Sequence, residues 1–269
     1  MKSADYFALH PIFTAAEFSE AREWSNTRGK SDRTLEALLR HHVEAGHLVR
    51  LRRGLYAVIP EGKRQEDVAV DRVLVASKLS PSSVIALHAA LEFHGLATSA
   101  IDPVHFRSRE RLRPATVDGC RYMPIATDAG FFDDPDEERS ATYFHRGASV
   151  RVTTKQRTIA EIFDAPEQSG GWEELAQALF RAGQLDWEVV IHHADESSTS
   201  VGSARLGLFL EAWQERLGVT QHHLAALRAL SPRQPRYLEP EHRPGKLIAG
   251  WNLVVPEQVS RLLARRSAG

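Results

Sequence analysis

Between residues 13 and 60 the hydrophobic spacing changes from helical to alternating. In FTAAEF, residues 13–18, Thr14 stands three positions before Glu17, the pattern of a capping box, and Phe13 and Phe18 occupy the flanking staple positions. This predicts a helix from Ala15 to about Trp24. A polar break, SNTRGK, covers residues 25–30, and Ser31 or Asp32 can cap the next helix. There Leu35, Leu38, Leu39 and Val43 share one face, while Arg33, Glu36 and Arg40 point the other way. Gly46 fits a C-terminal cap. The period then drops to two. In HLVRLRRGLYAVIP, residues 47–60, Val49 and Leu51 alternate with Arg50 and Arg52, so one face is apolar and the other cationic. Gly54 can take the positive φ that a tight hairpin turn often requires.

Helix, short turn, helix and basic hairpin, in that order, form a winged helix-turn-helix. In that fold the second helix enters the major groove led by its N-terminal residues. Here those are Lys30, Ser31, Arg33 and Thr34, with Arg40 farther along the exposed side. The hairpin is the wing, which brings Arg50, Arg52 and Arg53 against phosphates or into a neighbouring minor groove. Two plainer readings stay open at this point. Arginines on an edge strand discourage aggregation, and a winged helix can serve protein contact, since fold does not fix function.

The polar stretch PEGKRQEDVAV, residues 60–70, suggests a boundary between a winged-helix domain at 1–62 and a larger domain at 66–269. In the latter, DVAVDRVLVASKL reads as a helix, and SVIALHAALEFHGLA, residues 83–97, as a second apolar element stopped by Gly95. PVHFRS, CRYMPI and SVRVTT read as short strands. RTIAEIF, residues 157–163, opens a helix near Thr153 or Thr154. GGWEELAQALF, LDWEVVIHHA, SARLGLFLEAWQERLG and TQHHLAALRAL read as four more helices. RYLEPEHRPGKLIAGWNLVVP forms a late extended pair before a last helix, PEQVSRLLARR. The expected fold class is α+β.

Charge sharpens this division. The chain of 269 residues has a formal net charge of -1, so any nucleic-acid surface must be local. Residues 28–64 hold 9 Lys/Arg against 4 Asp/Glu, a basic module ahead of a mildly acidic body. The one cysteine, Cys120, excludes an intrachain disulfide and fits a cytoplasmic protein. The N-terminus lacks a signal-peptide core, and no apolar run has transmembrane length.

Catalytic patterns are sparse. Among 13 histidines, HHVEAGH (His41, His42, His47) lacks the HExxH spacing. The adjacent pairs His192/His193 and His222/His223 point about 100° apart on a helix, so neither pair easily shares a metal. His88 and His94 flank an apolar helix and read as capped or buried hydrogen-bonding residues. DDPDEE, residues 133–138, lacks the glycine and distant glutamate of a calcium loop. No GxSxG, Walker A or Rossmann glycine pattern occurs. Lys155, Glu161 and Asp164 keep one enzymatic alternative in play, a winged-helix-tethered metal-dependent nuclease or other phage-defence enzyme. Surface charge at a helix start explains the same residues. The expectation is a non-enzyme, with no catalytic residue, metal or cofactor.

Four segments, in order, resemble AbiEi-type antitoxins: the wing HLVRLRRGLYAV, ALHAALEFHGLA at 86–97, VRVTTKQRTIAEIFD at 150–164 and ARLGLFLEAW at 204–213. One departure is Ala160 and Glu161, then Asp164, where an aspartate directly after RTI would be expected. The resemblance implies a bacterial two-domain protein whose winged helix binds double-stranded DNA at repeats in its own promoter, where a homodimer can form. It also implies that the body counters a nucleotidyltransferase-like toxin of a type IV, abortive-infection system, functionally and without requiring direct contact. The toxin needs a nucleotide and the antitoxin does not.

Overall fold

The computed structural model describes residues 2–23, 32–127, 130–133 and 138–264. The chain opens with helix α1 (Ser3–Leu9), strand β1 (Ile12–Thr14), helices α2 (Ala15–Glu23) and α3 (Asp32–Glu44), and strands β2 (Leu48–Arg52) and β3 (Leu55–Val58). These strands form a sheet in the order β1-β3-β2, all antiparallel. This is winged-helix topology, with β2 and β3 as the wing.

Local sequence chemistry accounts for most of it. The Thr14 hydroxyl accepts from the Glu17 amide at 3.2 Å, and the Glu17 carboxylate accepts from the Thr14 amide at 2.8 Å. Both arms of the capping box are therefore made. Phe13 and Phe18 meet with ring centroids 5.6 Å apart, which is the staple. At the end of α3, the His47 amide donates to the His42 carbonyl and the Gly46 amide to that of Val43, with Gly46 at φ +73°. That is a Schellman cap. Helix α1 and strand β1 were not expected. Tyr6 and Phe7 of α1 join Phe13, Phe18, Leu39, Leu48 and Tyr56 in an aromatic-rich core. Thr14→Ala should destabilise this region by about 1 kcal/mol, read as a lower denaturation midpoint at unchanged slope.

The chain continues through α4 (Arg72–Ser77), β4 (Val84–Ile85), α5 (Leu87–Phe93), β5 (Val104–Arg107), β6 (Ala115–Val117), β7 (Cys120–Ile125), α6 (Gly130–Asp133), β8 (Ser140–His145) and β9 (Ala148–Thr153). Then come α7 (Lys155–Ile162), α8 (Gly171–Arg181), α9 (Trp187–Ser197), α10 (Ser200–Ala212), α11 (Gln214–Leu217) and α12 (Gln221–Leu230). Strands β10 (Arg236–Tyr237), β11 (Gly245–Ile248) and β12 (Leu253–Pro256) and helix α13 (Glu257–Ala264) complete it. The fold is mixed α and β, a winged helix followed by a larger domain.

By contact the chain forms two compact units. The first comprises 1–85, 102–129 and 142–151, and the second 86–101, 130–141 and 152–269. The first holds the winged helix together with most of a mixed six-stranded sheet, order β6-β7-β5-β4-β9-β8. Within it Lys78, just past α4, pairs with Glu17 of α2. The second is mostly helical, with a small sheet in the order β10-β12-β11, β10 parallel and β11 antiparallel to β12. Its core gathers Ile159, Phe163, Trp172, Leu179, Phe209 and Trp251.

Some elements differ from the expected ones. The helix read across 67–79 begins only at Arg72, because the Asp71 carboxylate caps it by accepting from the Val73 and Leu74 amides at 2.9 and 3.0 Å. The run 203–218 divides into α10 and α11. The late extended pair is a three-stranded sheet.

Candidate nucleic-acid interface

Strand β2 alternates as its sequence dictates: Leu48 is buried, Val49 and Leu51 half-buried, Arg50 and Arg52 exposed. The pairs Arg50↔Tyr56 and Arg52↔Leu55 leave Arg53 and Gly54 as the turn, with a register shift between Arg50 and Arg52. Gly54 has φ +76°, a conformation that a β-branched side chain strains to adopt. Arg53 is exposed at the tip. Buried Leu55, Tyr56 and Ala57 fasten the wing from below, so three guanidinium groups stand outward on a short, rigid hairpin.

On α3, Leu39 is buried and Leu35, Leu38 and Val43 pack around it, which turns Thr34, Glu36 and Arg40 outward. Arg33 lies in the first turn of α3. Lys30 and Ser31 lie outside the described residues. At the far end of α3, His42 and His47 bring their Nδ1 atoms within 3.3 Å. Burial, reinforced by the nearby His47, His41 and Arg22, pushes the His42 pKa down.

Sequence reading missed a neighbour of the wing. Arg52 lines a cleft of about 380 Å³ together with Leu79, Phe106 and residues 112–116, which include Arg113 and Thr116. The alternation RSRERLR at 107–113 was the available signal, but nothing local to it points to the wing.

Two of the three residues weighed for catalysis, Glu161 and Asp164, are engaged in other contacts. Glu161 is buried and paired with Arg157. The Asp164 carboxylate accepts from the Thr199 amide and hydroxyl at 2.9 and 2.6 Å, and burial pushes its pKa up. Lys155 is exposed. His88 is fully buried between Glu92 at 2.8 Å and Glu174 at 3.4 Å. Among the described residues no group of three or more His, Cys, Asp or Glu side chains is arranged to hold a metal ion. Most of the acidic loop 133–138 lies outside them.

Two histidines of the second unit, half-buried His94 and buried His193, carry a pH dependence. His94 contacts the Thr153 carbonyl at 2.7 Å and His193 the Glu138 carbonyl at 3.0 Å. Burial lowers both pKa values below the ordinary 6.5. The unfolded chain then binds more protons than the folded one, so their contribution is present above pH 6.5 and lost as pH falls through that value. Glu196, held at about 2 by its hydrogen bond from Arg139, acts only well below that window. Melting temperature should fall between pH 7.5 and 5.5, and His94→Gln should flatten the fall; a flat wild-type profile would refute this.

A basic wing and an exposed helix stand on this topology, which defines the class by fold: a winged-helix domain joined to a larger mixed domain. Residues 2–59 match the family described as transcriptional regulator, AbiEi antitoxin, a regulatory family rather than a catalytic one. The segments at 86–97, 150–164 and 204–213 lie outside that match. No curated protein matches the chain. The crystal structure of the RV2827C protein from Mycobacterium tuberculosis has a similar fold, with a TM-score of 0.61 and 16% identity over 94% of this chain and 90% of that one. Among the described residues no helix is long and apolar enough to cross a membrane.

Proposed function

We propose that the protein is a cytoplasmic, DNA-binding autorepressor and the antitoxin of an AbiE-like toxin–antitoxin system in phage defence, countering a nucleotidyltransferase-like toxin. The observation that carries this reading is the exposed arginine wing on a segment matching an antitoxin transcriptional regulator. Residues 1–62 read the DNA, with Lys30, Ser31, Arg33 and Thr34 leading into the major groove and Arg40, Arg50, Arg52 and Arg53 on the backbone or in a minor groove. Two copies on promoter repeats would match the two-fold symmetry of such sites. Residues 66–269 carry the antidote role.

Two experiments test it on the full chain. The purified protein should shift a duplex taken from upstream of its own reading frame, and its expression should rescue cells from the toxin encoded beside it. Failure of the first removes autorepression, and failure of the second removes the antitoxin role. Arg33→Ala should relax base preference at one position by about 1–3 kcal/mol if the contact is bidentate. Equal loss on promoter and random DNA would make Arg33 a backbone contact instead.

A further inference from the structure

The wing does not stand alone. Residues 107–113, RSRERLR, carry four arginines against one glutamate and lie outside the family match. Arg109, Arg111 and Arg113 are exposed. The glutamate is folded back. Three serine hydroxyls converge on one oxygen of Glu110: Ser80, Ser82 at 2.7 Å and Ser108 at 2.8 Å. Those donors lower its pKa to about 2, so it stays a bonded carboxylate at any physiological pH. The same serines fix the backbone, with the Arg109 amide donating to Ser82 at 2.8 Å and the Glu110 amide to Ser108 at 3.1 Å. The loop therefore starts from a pinned position. Its far end, Leu112 to Thr116, shares the cleft with Arg52 of the wing, and among the described residues no acidic side chain lines that cleft. Among the described residues neither Arg52 nor Arg113 makes an ion pair.

Two guanidinium groups on separate elements, facing one small cleft with a hydroxyl and no acid, suit a doubly coordinated oxyanion. We propose that Arg52 and Arg113 straddle a DNA backbone phosphate in this cleft, and that Arg109 and Arg111 extend the footprint along the same strand beyond the wing. This rests on the DNA-binding reading above and deepens it. The contact is to backbone, so it carries no sequence preference and adds equally to promoter and random duplexes. Glu110 is a positioning residue, holding the loop rather than touching DNA.

The test is fluorescence anisotropy of the full chain on labelled promoter and random-sequence duplexes between about 50 and 200 mM salt. Wild type, Arg109→Ala/Arg111→Ala/Arg113→Ala and the single and double alanine variants of Arg52 and Arg113 are compared. Each lost phosphate contact should flatten the log–log salt slope by about 0.9. The loop triple variant should flatten it by up to about 2.7, by the same amount on both duplexes. Because Arg52 and Arg113 share one phosphate, their double variant should lose less than the sum of the singles. Thermal melts show whether each variant folds, and exposed arginines should leave melting unchanged. If the wild type binds neither duplex, the functional reading itself falls. If wild type binds and loop substitution leaves the slope unchanged, only the extended footprint falls. Strict additivity of Arg52 and Arg113 would remove the shared phosphate.

Discussion

Replacing Arg50, Arg52 and Arg53 together by alanine should weaken DNA binding on the order of 100-fold at physiological salt while leaving the fold intact. All three side chains are exposed on the wing, and the hairpin is held by Leu48, Leu55, Tyr56 and Ala57 beneath them. Removing charge from that face uncovers no core, so melting should stay within the small range of ordinary surface substitutions. Binding is different. Each arginine on a phosphate releases condensed counterions, and three lost contacts flatten the salt slope by up to about 2.7, less where Arg113 keeps the phosphate it shares with Arg52. Between 50 and 200 mM salt the variant should then lose up to about 40-fold less affinity than the wild type does. The measurement is affinity against salt, with melts alongside. A smaller change in slope would identify an arginine that stays solvated, as isolated surface charges often do. An unchanged slope in a folded variant would mean that the wing does not touch DNA, and would return it to the role of a solvated edge.

The legible parts of this fold are those whose signals are local. The capping box at Thr14 and Glu17, the Phe13–Phe18 staple, the Gly46 cap and the β2 alternation each act over a few residues, and each stands in the structure where its sequence puts it. Helix α1 was illegible because its seven residues bury only Tyr6 and Phe7, which are adjacent and give no helical period. They are fixed by long-range packing on Phe13 and Phe18. Helix α10 shows the opposite limit. Gly202 through Leu210 are all buried, so no polar face marks its orientation. Gly207 there lies against Trp251, where a Cβ would come within 2.2 Å of the indole, a contact that no window of sequence contains. The candidate site divides in the same way. The wing arginines were readable from alternation, whereas the cleft that joins Arg52 to Arg113 depends on the tertiary placement of a loop.

Arg157→Ala should destabilise the second unit by about 3–5 kcal/mol, the cost of stranding a buried charge. The RTIAEIF segment places Arg157 and Glu161 one helical turn apart on α7, and both are buried. The Arg157 guanidinium also reaches Glu196 at 3.2 Å and lies 5.6 Å from the centre of the Phe131 ring. Alanine leaves Glu161, 3% exposed, without its cation. Lysine keeps the charge but not the planar fork that serves two carboxylates, so Arg157→Lys should recover only part of the loss. Removing both partners, as Arg157→Met with Glu161→Leu, should recover most of it, because an apolar pair leaves no orphaned ion. Denaturation followed by tryptophan fluorescence resolves the effect, since Trp172, Trp187, Trp213 and Trp251 all lie in the second unit. A second readout separates electrostatics from simple loss of packing. The Arg157 charge helps to hold the His193 pKa down, so Arg157→Ala should raise it in an NMR titration, while Arg157→Lys should raise it less. If the alanine variant loses less than about 1 kcal/mol, the range of an exposed ion pair, and His193 titrates as in wild type, then water reaches these carboxylates and the network does not hold α7 to α9.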